Sequence, residues 1–318
     1  MTEGRELQQN KPHVLTKPSV RCMLALLSCA LWGAAFPSIK IGYEWLNITD
    51  VGGQILFAGY RFFLAGIITL VVGCIVEKRL MKIEKRSVPH VMGIGLLQTT
   101  VQYVCFYIGM SYITGSKGAI INSASTFAAI ILAHFLIKGE RLTLQKGLGC
   151  IIGFAGVIIV NLGGLGGEVT FLGEGMVLLC AIAYGVSSTF VKMMAHRGTP
   201  MAITAYQLLF GGLLLIVIGF AAGGWITGFD LKSVILLIFM AIISSVGFSI
   251  WTALLKYNPV GKVAIFGFSI PVFGVILSAI FLGEAIFTVK SLGALLFVSA
   301  GIIIVNLPEK QKKEVASQ

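Results

Sequence analysis

The amino-acid sequence predicts an all-α integral membrane protein, with ten transmembrane helices arranged as two inverted five-helix repeats. Three observations predict it. Apolar runs near the ~20 residues that cross a bilayer core recur along the chain. The basic residues alternate between crowded and sparse connections. The two halves share an ordered set of residues at a near-constant offset.

Composition carries the first observation. Of 318 residues, 57% are hydrophobic and only 12% charged, and the mean hydropathy is +0.93. A water-soluble domain carries roughly 25% charged residues, so an ordinary soluble globule is excluded. The apolar runs fall at 21–41, 52–76, 89–112, 116–137, 145–163, 174–194, 201–221, 233–255, 260–282 and 288–307. Backbone groups in lipid must bond internally, which makes each run a helix. Pro89, Pro200 and Pro259 stand at or near span starts, where a missing backbone donor costs little.

Charge placement carries the second. A net charge of +11 could indicate a nucleic-acid partner, but the Lys and Arg residues sit in short segments between apolar runs. That is membrane topology, with the lipid bilayer as partner and no nucleic acid. With the N-terminus inside, 19 basic residues fall on the inner side. Only Lys40, Lys117, Lys232 and Lys290 fall outside, and Arg61 lies within a span. The split predicts an even number of spans, both termini cytoplasmic, and a multi-pass protein of the cytoplasmic (inner) membrane. Residues 1–20 and 308–318 read as cytoplasmic tails, the first without the pattern of a removed signal peptide. The tripeptide Asn47-Ile48-Thr49 fits a glycosylation acceptor on the outer side, a short motif of little weight. The six cysteines lie in or beside apolar runs without a CxxC pair. They read as packing residues, and neither disulfide, metal nor cofactor is expected.

The repeat is the third. Trp32-Gly33 and Lys40 match Tyr184-Gly185 and Lys192 at an offset of 152. Tyr60-Arg61 and Gly66 match Tyr206-Gln207 and Gly212 at 146. Gly139-Glu140, Lys146 and Gly149 match Gly283-Glu284, Lys290 and Gly293 at 144, and the run Gly156 to Asn161 matches Gly301 to Asn306 at 145. The repeats are bounded at 21–163 and 174–307. Five helices per half is an odd number, so the second half enters the membrane upside down. Inverted repeats supply two near-equivalent states, open to opposite sides, which is the physical basis of alternating access.

These residues resemble the drug/metabolite transporter superfamily, and within it the EamA-type ten-helix members. The resemblance rests on Leu31-Trp32-Gly33, on Arg61-Phe62 with Ala65-Gly66, on Ser269-Ile-Pro271 through Phe281-Leu-Gly283-Glu284, and on the run ending at Asn306. One departure is visible: the family often has Pro in helix 4 where this chain has Phe127. The resemblance implies transport of a small-molecule substrate, and a central cavity between helices 1, 3, 4, 6, 8 and 9.

The candidate substrate-binding residues are Gln102, Tyr103, Asn122, Ser125, Tyr184, Ser188, Ser245, Trp251 and Ser269. Amides and hydroxyls would orient a polar solute, and aromatic faces would cover its apolar part. For single Ser and Thr residues the competing reading is interhelical hydrogen bonding. The richest polar cluster is in helix 3, where Thr99, Gln102 and Tyr103 share one face by i, i+3, i+4 spacing. Arg61, about eight residues or roughly 12 Å into helix 2, suits either an anionic solute or bundle packing. Packing is preferred, because the family has Arg there whatever the substrate. His134, toward the inner end of helix 4, reads as a satisfied packing residue. Gly149 and Gly153 give helix 5 a small-residue face for packing or for a homodimer through helices 5 and 10. Pro37 and Pro271 lie inside spans and bend them, as hinges or as static kinks.

No Asp or Glu is deep in a span, which disfavours a multidrug efflux pump exchanging protons for cations. The expectation is an exporter or permease of a small metabolite such as an amino acid. No catalytic residues are expected, since HExxH, a Walker A loop and a Cys–His cluster are absent from the sequence. A non-transporting scaffold or sensor is the remaining alternative.

Overall fold

The computed structural model describes residues 13–113, 115–160, 170–282 and 289–307. Among them, secondary structure is helical throughout. Helices α1 (Pro18–Trp45), α2 (Val51–Glu77), α3 (Lys85–Tyr112), α4 (Gly115–Leu136) and α5 (Leu144–Val160) come first. Then follow α6 (Phe171–Met194), α7 (Pro200–Ala221) and α8 (Leu231–Tyr257). The composite α9 runs Val260–Ala264, a 3-10 turn Ile265–Phe268, then Ser269–Leu282, and α10 is Val289–Asn306. Described helix ends fall within four residues of the predicted spans. Asn161 and Gly283-Glu284 of the repeat, and most of the two tails, lie outside the described residues.

Six of these helices, α1, α2, α3, α6, α7 and α8, are long and apolar enough to cross a membrane, and the others contain shorter apolar helices. The outer faces are apolar as well. On α8, Ile235, Ile238, Phe239, Ile242 and Val246 are all exposed, at the three- and four-residue spacing of one helix face. A band of this kind is stable against lipid and costly against water. The chain is a multi-pass membrane protein.

Local chemistry sets the helix starts. Asp50 accepts from Gly53 N–H at 2.7 Å to cap α2, and Thr199 accepts from Ala202 N–H at 3.2 Å ahead of Pro200 in α7. Asp230 and Ser233 form a reciprocal capping box on α8. At the other end of α2, Lys78 takes the left-handed conformation, φ 51°.

Two helices depart from regular α geometry near the centre of the bundle. Gly95–Val101, in the middle of α3, is a π-helix, which adds a residue to the turn and rotates everything beyond it. The 3-10 turn in α9 just precedes Pro271, whose ring cannot share a regular helical ladder.

The packing is pairwise. α2 lies along α7, and α5 along α10. α1 packs on α9 and α8, while α6 packs on α4 and α3. The two sets correspond: moving each partner by five helices around the ten turns α1–α9 into α6–α4, and α1–α8 into α6–α3. Glycines make two of these approaches. A Cβ on Gly33 would stand 2.6 Å from Phe273 Cβ, and one on Gly185 would stand 2.7 Å from Ala128 Cβ. Residues 33 and 185 are the repeat-matched pair, and the 144-residue offset of helices 4 and 9 matches 128 to 272, one position from 273. The face bearing Gly149 and Gly153 is occupied within the chain. Gly149 meets α10 at Gly301 and Val305, and Gly153 meets Phe268.

Candidate functional site

One end of the bundle is tied by buried polar contacts. Arg21 donates to Asn258 Oδ1 at 3.1 Å and to Asn306 Oδ1 at 2.8 Å. Asn258 donates to Leu15 O at 3.0 Å, and its own carbonyl accepts from Lys192 Nζ at 2.6 Å. Glu140 accepts from Val260 N–H at 2.5 Å, capping α9, and pairs with Lys146 Nζ at 3.8 Å. His134 Nδ1 accepts from Leu142 N–H at 3.3 Å on the α4–α5 turn. Between this end and mid-bundle lies an apolar plug of buried, mutually packed side chains, built from Trp251, Leu254, Val263, Phe266, Phe268 and their neighbours.

Above that plug lies a cavity of about 110 Å³. It is bounded by Trp32, Phe36 and Ile39 of α1, Arg61 of α2, and Gln102, Tyr103 and Phe106 of α3. Asn122, Ser125 and Thr126 of α4, Cys180 and Tyr184 of α6, Phe248 of α8, and Gly267 and Ile270 of α9 complete it. Both halves of the sequence therefore contribute walls. The aromatic side is a continuous cluster, with Trp32 5.1 Å from Trp251 and 5.2 Å from Phe248 between ring centroids, and Tyr103 4.4 Å from Phe62.

The polar side is sparse and under-partnered. Arg61 is 2% exposed, a position that costs about 2.5–3.5 kcal/mol on membrane-insertion scales. Its Nε donates to Ser244 Oγ at 2.8 Å, and its guanidinium carbon lies 4.9 Å from the Phe62 ring centroid. Gln102 Oε1 and Trp32 Nε1 are buried without a hydrogen-bond partner among the described residues. Asn122 Oδ1 accepts a weak bond from Cys180 Sγ at 3.4 Å. Buried polar atoms in proteins are nearly always paired, and those left open beside a hollow suit a bound molecule.

Five of the nine residues singled out from sequence line this cavity: Gln102, Tyr103, Asn122, Ser125 and Tyr184. The other four lie outside the lining. Ser245 shares a 2.7 Å bond with Thr69 between α8 and α2. Ser269 donates to Phe266 O at 2.6 Å inside α9. Trp251 is 1% exposed and backs Trp32 from behind. Ser188 is buried one turn beyond Tyr184. The face predicted for helix 3 is also corrected. Thr99 does not share a side with Gln102 and Tyr103 but packs against Gly211 of α7, and Thr100 donates to Gly211 O at 3.2 Å. The intervening π turn breaks the 3.6-residue spacing that a shared face requires.

The lining also holds residues outside those nine, notably Arg61, Phe36, Phe106 and Phe248. Arg61 is signalled in the sequence by a charge in mid-span, and the structure puts it in the cavity wall as well as in the packing. An aromatic residue in an apolar run carries no comparable signal.

A helical membrane bundle with a central, partly polar hollow walled by both halves is the architecture of a solute carrier. The sequence profile of the EamA-like transporter family matches residues 20–162 and again residues 171–307. The chain belongs to that family, and so to the drug/metabolite transporter superfamily. Among its relatives, "Uncharacterized transporter YvbV" of Bacillus subtilis (strain 168) is 26% identical, over 95% of this chain and 96% of its own. The "Probable amino-acid metabolite efflux pump" of Escherichia coli (strain K12) is 25% identical, over 87% of this chain and 92% of its own. A solved crystal structure with 15% identity superposes at a TM-score of 0.75, over 90% of this chain and 96% of its own, a likeness of fold alone.

Proposed function

We propose that this protein exports a small metabolite, a neutral or zwitterionic solute such as an amino acid, by alternating access around the central cavity. The observation that carries the reading is the cavity itself, lined from α1–α4 and from α6, α8 and α9. The reading takes all ten helices as spanning, with helices 1–5 and 6–10 as inverted repeats. The exchange of packing partners between α1 and α6 supports that arrangement, as do the two successive matches to one family profile. A pseudo-two-fold relation lets each half adopt the other's packing, so the cavity reaches the opposite side without a new fold. The basic-residue asymmetry supports cytoplasmic termini in the inner membrane. On that orientation the tied end faces the cytoplasm, and the closed plug seals the cavity there. The efflux role in the printed name of the Escherichia coli relative supports export as the direction.

Counterflow of labelled amino acids into proteoliposomes tests the proposal. Saturable exchange that needs the protein is the expected result. Folded, reconstituted protein that neither binds nor exchanges any member of a metabolite panel would favour a scaffold instead.

A further inference from the structure

Arg61 is placed in the cavity wall and buried. A guanidinium is charged at any accessible pH and offers five N–H donors. One of them, on Nε, goes to Ser244 Oγ, which itself donates to Met240 O at 2.8 Å. That leaves the donors on the two η nitrogens. Among the described residues no protein acceptor meets them, and no carboxylate lies within ion-pair distance of Arg61. The sequence explains why. By sequence, all 13 Asp and Glu residues fall outside the apolar runs or at their edges. A buried charge is normally paired, and among the described residues no carboxylate stands at that depth. The Trp32 ring belongs to the same lining, while its Nε1 lies beside Gly247 of α8. The open donors therefore call for an acceptor-rich anion, for which a carboxylate matched to the guanidinium fork is the natural partner.

We propose that Arg61 is the counter-ion for a carboxylate on the transported solute, and that this carboxylate is the one charged group the cavity requires. The inference rests on the transport reading of the same cavity and goes further by naming the recognition chemistry. A cationic group on the solute finds no carboxylate in the described lining. It meets only uncharged groups, namely amide oxygens such as Gln102 Oε1, the Ser125 and Thr126 hydroxyls and aromatic faces, so an ammonium is tolerated without being needed. The aromatic walls take an apolar body. Within the proposed class the preferred solute is an amino acid with an aliphatic or aromatic side group, recognised by its carboxylate and not by its amine.

Four probes that share one branched aliphatic body test this: leucine, 4-methylpentanoate, leucine methyl ester and 3-methylbutylamine. Binding is read on purified protein by ligand-induced thermal stabilisation, and transport by counterflow of labelled leucine in proteoliposomes. Leucine and 4-methylpentanoate should bind with half-saturation within about tenfold of each other, and the ester and the amine at least about tenfold more weakly. Arg61→Gln should abolish that preference and Arg61→Lys should keep part of it. The probe comparison needs only the wild-type chain, so misfolding of a variant does not blunt it. Ester or amine binding as well as the acids, or neither acid binding at millimolar concentration, overturns the proposal. Saturable leucine counterflow in the first of those cases leaves the transport reading standing. Carboxylate-selective binding with no counterflow does the reverse: the Arg61 assignment stands and the carrier reading falls.

Discussion

The tied end of the bundle and its middle treat buried polar groups in opposite ways. At the end, Arg21 meets two Asn side chains, Lys192 meets the Asn258 carbonyl, and Glu140 meets both a helix N-terminus and Lys146. In the middle, Arg61 has Ser244 for one donor and no carboxylate among the described residues, while Gln102 Oε1 and Trp32 Nε1 have no partner. The desolvation cost is of the same kind in both places. The difference teaches that polarity alone does not mark a binding site in a membrane bundle. Polar groups satisfied by protein hold the structure together. Polar groups left open beside a hollow are available to a solute.

Substitutions at the two places should therefore fail differently. Glu140→Ala should have the largest effect on stability. It leaves Lys146, whose side chain is 7% exposed, without its carboxylate and removes the acceptor at Val260 N–H. Breaking a buried pair of this kind costs about 3 kcal/mol, to be read as lowered thermal stability in detergent and rescued in part by Glu140→Gln. Arg21→Ala removes two charge-assisted bonds and should cost about 2 kcal/mol. An unchanged unfolding temperature in both variants would break the contrast, because the tied end would then contribute nothing to stability.

Gln102→Ala tests the other side. Its Oε1 has no protein partner to lose, so the unfolding temperature should hold within a degree or two while solute flux falls about tenfold, equivalent to about 1.4 kcal/mol. A variant with wild-type flux would remove Gln102 from the site. One that unfolds early would make it a structural residue after all.

The sequence makes the helices easier to read than the cavity, for a physical reason. Apolar run length and flanking charge mark a helix locally, and the ends of α2 or α7 follow within a few residues. The repeat pairs Gly33 with Gly185 by residue identity, and the two make equivalent close approaches in the bundle. Cavity lining, by contrast, depends on how each helix is rotated. Ser245 and Ser269 look from sequence like Ser125, yet their hydroxyls are taken up by Thr69 and Phe266 O. The π turn that separates Thr99 from Gln102 leaves no mark in hydropathy. Arg61 is visible as a charge in a span, but only the structure reveals that no carboxylate of the described residues comes near it.

The smallest expected effect lies outside both regions and sets a scale for them. Asp230 caps α8 at the surface, accepting from Ser233 N–H at 2.8 Å. The backbone and hydroxyl bonds from Ser233 hold its carboxyl below the ordinary value of 3.8. A depressed carboxyl adds stability above its unfolded-state value and loses it as pH falls through the folded one. The first turn of α8 should therefore fray only in acid, below about pH 4, and show lower amide protection factors (exchange relative to the intrinsic rate at each pH) at Ser233 and Val234 there than at neutral pH. Asp230→Asn keeps a capping acceptor without the charge, so its protection factors should be flat over the same range. A pH response that survives in Asp230→Asn would assign the fraying to another group. One that reached the cavity, altering flux as well as exchange, would mean that the surface cap and the solute site are coupled and that the separation between structural and open polar groups is incomplete.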